Sequence, residues 1–114
     1  MQKVKINLKI KNNNNFNNYT GIGFLDKDII SYEKKEEKLM YDKKIKRLIK
    51  KDKEKELRID FNQKNMMIIT KNEFIKFDIE VIELYSNEEK VKIKYKIDSD
   101  IIEFLLEVKE DFND

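Results

Sequence analysis

Three acids, Asp98, Asp100 and Glu103, crowd into one short stretch near the end of a 114-residue chain. Carboxylate oxygens so close together are what a hard cation such as calcium or magnesium takes as ligands. The stretch lacks the central glycine and the ligand spacing of an EF-hand loop, so its plain reading is an acidic turn. The chain has no histidine and no cysteine. Without them there is no Ser-His-Asp triad, no thiol nucleophile and no imidazole base, and no ordinary zinc, haem or iron–sulfur site. "GIG" at Gly21–Gly23 stops short of a dinucleotide fingerprint, and there is no P-loop. A paired-carboxylate hydrolase stays open, because spatial pairing is not visible in a sequence. The expectation is a protein that is not an enzyme and carries neither metal nor cofactor.

Two other groups of residues bear on binding. Lys43, Lys44, Lys46, Arg47, Lys50, Lys51 and Lys53 form a basic cluster with Asp52 the only acid among them. Such a cluster can track a phosphate backbone. It is almost all lysine, with Tyr41 its only nearby stacking aromatic, and so reads as a solvated face before it reads as a phosphate-binding patch. The acidic stretch from Asp98 to Asp114 is a charge complement within the chain, which makes nucleic acid a weak expectation. Tyr32 and Tyr95 share the inward parity of their segments. A buried phenol needs a hydrogen-bond partner, so both are either core tyrosines or the polar lining of a ligand cavity. Phe77, with Met66 and Met67, would shape such a cavity or simply fill it.

The elements that must position these residues alternate with period 2, the mark of half-buried strands. "KVKINLKIK" sets Val4, Ile6, Leu8 and Ile10 against lysines, and "VKIKYKI" sets Val91, Ile93, Tyr95 and Ile97 against Lys92, Lys94 and Lys96. "DIISYE", "ELRIDF" and "MMIIT" are shorter runs of the same kind. "NNNNFNN" reads as a loop, because asparagine bonds its own backbone and tolerates left-handed conformations. Gly21 and Gly23 inside a strand pattern point to a bulge or a close approach. "FIKFDIEVIELY" reads as one long strand whose phase slips at Ile82, a bulge signature. Two segments are open between helix and strand. Residues 36–51 are good helix formers in a strand neighbourhood, where Ile45 and Ile49 would share a face. Residues 101–112 either turn Ile102, Phe104, Leu106 and Val108 inward as a strand or align Ile101, Phe104, Leu105, Val108 and Phe112 as a helix capped by Asp100 and Glu103. The strand reading is preferred. With about eight strands, no proline and no linker, residues 1–114 form one antiparallel domain, a small up-and-down barrel.

Charge is high, 42%, but nearly balanced at net +2. The richness in Lys, Asn and Ile is what A/T-rich coding produces, so a lysine excess says little about partners. No signal-peptide pattern, membrane span or lipidation site is visible, and a soluble cytoplasmic protein is expected.

"TGIGFLDKDIISYEKK", "LRIDF", "FIKFDIEVIELYSNEEKVKIKYKI" and the closing "IIEFLLEVKE" resemble the YwiB-like family of small bacterial calycin-type proteins, a domain of unknown function. The likeness covers roughly Thr20 to Glu110. The family's Arg-Gly after its central strand is replaced here by "FNQKN". The resemblance implies a calycin-like barrel with the charged segment as a hairpin on its wall, lysines in solvent. Fold analogy then gives a barrel that binds a small apolar ligand, with Tyr32, Phe77 and Tyr95 as its lining. The alternatives are RNA binding through Lys43–Lys53, or a structural interaction module. In the last of these, outward-facing Ile101 and Leu105 would form a homodimer seam.

Overall fold

The computed structural model describes residues 1–109. They form eleven strands: β1 Gln2–Asn12, β2 Asn15–Asp26, β3 Ile29–Lys34, β4 Glu37–Asp42, β5 Arg47–Lys51, β6 Lys55–Asp60, β7 Asn65–Thr70, β8 Phe74–Asp78, β9 Glu80–Ser86, β10 Lys90–Ile97 and β11 Asp100–Lys109. The hydrogen-bonded order is β8-β7-β6-β5-β4-β3-β2-β1-β11-β10-β9. Every pairing whose register is resolved is antiparallel, and the first strand pairs with the last. Eleven strands replace the eight expected. The charged segment supplies complete strands, and "FIKFDIEVIELY" divides at Ile79 into β8, which pairs with β7, and β9, which pairs with β10.

The chain resolves into two compact units. Phe24–Asp78 and Met1 form one; Gln2–Gly23 and Ile79–Asp114 form the other. In the first, cross-strand register lines up Leu25, Ile30, Tyr41, Leu48, Ile59, Met66 and Phe77 in one row. Five of these, Ile30 through Met66, are buried. A second row on the same side runs Tyr32, Leu39, Lys50, Leu57, Ile68, Ile75. In the second unit, Leu8, Leu106 and Val91 form one buried row, and Phe104 and Ile93 pair in the next. In β1 and β10, period-2 alternation puts the apolar side chains on one face and the lysines on the other.

The two ambiguous segments are strands. Residues 37–42 and 47–51 pair as β4 and β5, which rules out a helix over 36–51. Ile45 does not share a face with Ile49: it lies in the β4–β5 turn, and Leu48 is the buried residue of β5. Residues 100–109 are β11, with Phe104, Leu106 and Val108 buried as the strand reading required. Glu110 and Phe112, which the resemblance and the helix reading reached, lie outside the described residues. The slip at Ile82 is a bulge: the register of β9 and β10 shifts between Lys94 and Tyr95, which face Glu83 and Val81 and leave Ile82 over. The Asn run is mostly strand, since β2 begins at Asn15 and only Asn13 and Asn14 remain as a turn. At Gly21 the expected close approach is present. A Cβ there would run into the Tyr19 hydroxyl oxygen.

With two glycines and no proline, the turns are made by short polar side chains. Asp42 accepts from the Lys44 and Ile45 N–H groups, and Asp60 accepts from those of Asn62 and Gln63. Asp52, Asn87 and Thr70 do the same for their own tight turns. The two four-residue loops each end on a lysine in the left-handed region, Lys46 at φ 58° and Lys64 at φ 59°. A non-glycine residue there costs about 1–2 kcal/mol, partly offset by the extra unfolded-state freedom that glycine brings. Lys46→Gly is therefore expected to stabilise the protein by about 0.5–1 kcal/mol. A thermal melt of the variant that falls below the parent would show that the loop is not strained.

Candidate functional site

The three residues expected to line a ligand cavity are divided between the units. Tyr32, on β3, and Phe77, on β8, face the same side of the first unit's sheet but stand in different cross-strand rows. Tyr32 is buried and Phe77 half-buried. Tyr95, on β10 of the second unit, is buried beside Ile102 and Val81, and burial pushes its phenol up to about 12. Tyr41, the aromatic nearest the basic cluster, is fully buried in the first unit with its ring 6.5 Å from that of Phe61.

The basic cluster is broken up by the fold. Lys43, Lys44 and Lys46 sit on the β4–β5 turn. Arg47 and Lys51 point to the outer side of β5, whereas Lys50 has the parity of buried Leu48 and faces inward, against the expectation that the lysines stand in solvent. Neighbouring strands and turns supply acids to several of them. Arg47 pairs with Asp60 at 3.2 Å, Lys50 with Glu37 at 3.1 Å and Lys53 with Glu36 at 2.7 Å. Burial alone would raise the Asp60 carboxyl. Hydrogen bonds from Gln63, Arg47 and Asn62 outweigh it and hold the group below the usual range. The Lys55 and Glu54 N–H groups likewise lower the Asp52 carboxyl.

The acidic stretch is engaged in structural work. Asp98 is a turn residue at φ 53°, Asp100 accepts from the Asn13 side-chain amide at 2.8 Å, and Glu103 lies 3.9 Å from Lys11. Among the described residues, no group of three or more His, Cys, Asp or Glu is gathered to hold a metal ion.

The feature that sequence reasoning missed is a groove on the outer face of the second unit. Leu105 has outward parity on β11, between Lys9 of β1 and Lys92 of β10. In the next row Glu103 stands between Lys11 and Lys94. With Phe16 of β2, these side chains enclose a groove of about 410 Å³. Phe16 is 69% exposed, and the Lys11 ammonium stands 5.7 Å from the centre of its ring. Phe16 and Leu105 are its outward apolar side chains, and Lys9, Lys11, Lys92, Lys94 and Glu103 line it beside them. The outward parity that makes Leu105 a candidate dimer-seam residue is the sequence signal for this surface. A smaller recess of about 190 Å³ on the first unit lies beside Met40 and Ile49, where Glu56 is ion-paired to Arg58.

No helix among the described residues is long and apolar enough to cross a membrane. Compared with protein-family models, curated proteins and solved structures, the chain matches none of them.

Proposed function

We propose that the protein is a non-catalytic, cytoplasmic binding module whose ligand is a small, largely apolar molecule carried in the Phe16–Leu105 groove. The observation that carries this reading is the groove. Its volume falls within the range of about 300–1,000 Å³ typical of small-molecule sites, and it joins the apolar Phe16 and Leu105 to a few polar groups. An exposed phenylalanine and an outward leucine in a lysine-rich surface are the kind of apolar area a ligand would cover. The site thereby moves from the inner side of the sheet to its outer face. Inner positions such as Ile6, Leu8, Ile93 and Leu106 are at most 3% exposed and already covered by protein atoms. A calycin-type barrel of the YwiB-like kind is the finer form of the same proposal. The antiparallel pairing of β1 with β11 supports it, since a meander that pairs its first strand with its last is on the way to closure.

The test is a titration with 1-octanol followed by amide chemical shifts. Shifts confined to Phe16, Leu105 and their β1 and β10 neighbours are expected. Leu105→Glu sets a carboxylate between Lys9 and Lys92, an arrangement that cross-strand ion pairing tolerates, so the fold is expected to persist. Octanol binding should weaken at least roughly tenfold, because one buried apolar side chain is worth about 1.5–3 kcal/mol. Equal binding by parent and variant would place the ligand elsewhere.

A further inference from the structure

We infer that the ligand of this groove carries an anionic headgroup: it is a single-chain amphipathic acid, its tail against Phe16 and Leu105 and its carboxylate between Lys9 and Lys94. The inference rests on the groove reading above and adds the ligand's charge. Four lysines line the groove against one glutamate. Two of the four are already answered, Lys11 by Glu103 at 3.9 Å and Lys92 by Glu83 at 3.5 Å. Lys9 and Lys94 have no carboxylate within 4 Å among the described residues, although Lys94 stands directly across from both Glu103 and Glu83. Lys94 is also half-buried, unlike Lys92 two residues before it. An ammonium drawn partly out of water gains more from an anion than an exposed one does.

Cross-strand register explains why the charge collects there. Outward positions of β1 and β10 are nearly all lysine, and β11 between them offers Leu105 where an acid would have balanced Lys9 and Lys92. On either side of Leu105 the outward residues are Glu103 and Glu107. The single leucine in that acidic series leaves a gap in the charge pattern, an apolar residue flanked by Lys9 and Lys92. A fatty-acid-like molecule meets both demands with one carboxylate and one chain. A neutral apolar ligand would leave the two lysines unanswered, and a multiply charged one would leave Phe16 and Leu105 exposed.

The experiment compares octanoate with 1-octanol, the same chain with and without the charge, by amide-shift titration of the protein at low and high salt. Octanoate is expected to bind roughly tenfold tighter than octanol at low salt, as two favourable ion contacts imply, with the advantage shrinking as salt is raised. In Lys9→Gln/Lys94→Gln the octanoate preference should fall to near one. Equal affinity of the two probes in the parent overturns the headgroup inference and leaves the groove reading standing. Failure of both to shift the groove amides overturns the groove reading itself and this inference with it. A preference that survives in the double variant would overturn the assignment to Lys9 and Lys94.

Discussion

Replacing Leu106 by alanine is expected to cost the fold about 2–5 kcal/mol, whereas Leu105→Ala, one residue away, should cost well under 1 kcal/mol. Leu106 is fully buried, with Leu8 opposite on β1 and Val91 opposite on β10, both also buried. Truncation removes the transfer free energy of the lost carbons and leaves a void that flanking strands, held by two hydrogen-bonded ladders, can close only in part. Leu105 projects into the groove, where solvent already reaches it. Domains of this size are stable by roughly 5–15 kcal/mol, so the first change removes a large part of the total. Urea unfolding reads the difference directly: the midpoint of Leu106→Ala should fall sharply at an unchanged slope. Similar midpoints for the two variants would mean that the parity of β11 is wrong, and with it the groove.

That parity shows where the sequence was readable. Strict alternation in "VKIKYKI" and "KVKINLKIK" fixed which side of β10 and β1 faces inward, because a slip of one residue would bury four lysines. The same logic located the bulge at Ile82 from a phase slip alone. Legibility failed where the backbone turned without glycine or proline. Nothing in "YDKKIKRLIKK" marks residues 43–46 as a loop except Asp42, whose carboxylate holds two N–H groups, and so Ile45 looked like a face residue. Phe61 is buried as the alternation requires, but not as part of the strand. It continues the alternation of Leu57 and Ile59 yet lies beyond the end of β6, buried from within a loop whose N–H donates to the Lys46 carbonyl. The same omission of turns made the strand count too low.

The groove was illegible for a different reason. Its rows join β1 to β11, the two ends of the chain, and then β11 to β10. No local window contains Lys9 and Leu105 together. The expected site residues were chosen by inward parity, which finds core. A ligand surface on an antiparallel sheet with one solvated face is found by the opposite question, namely which apolar residues break the polar parity. Phe16, Leu105 and Ile101 are such residues, and the first two line the groove on which the functional proposals stand.

Raising the pH from 10 to 12 is expected to remove several kcal/mol of stability through Tyr41 and Tyr95. Both phenols are held up to about 12 in the folded protein. For Tyr41 the larger cause is burial, followed by the negative charge of Asp42, and for Tyr95 the cause is burial. In the unfolded chain a tyrosine ionises near 10. The folded state therefore favours the neutral phenol, and this contribution is fully present below pH 10. It is lost as the unfolded chain gains tyrosinate that the fold refuses, until the phenols ionise near 12. A shift of that size corresponds to about 2–3 kcal/mol for each residue. Lysine deprotonation acts in the same pH range by making the net charge negative, so the parent curve alone does not isolate the tyrosines. Tyr41→Phe and Tyr95→Phe keep the ring and remove the ionisation. Each should flatten the alkaline loss of stability, and the double variant should flatten it most, with tyrosinate absorbance confirming which phenols titrate before unfolding. Variants that lose stability with pH as steeply as the parent would show that these two phenols reach water in the folded protein. The rows that place Tyr41 between Ile30 and Leu48, and Tyr95 between Ile102 and Val81, would then have to be redrawn.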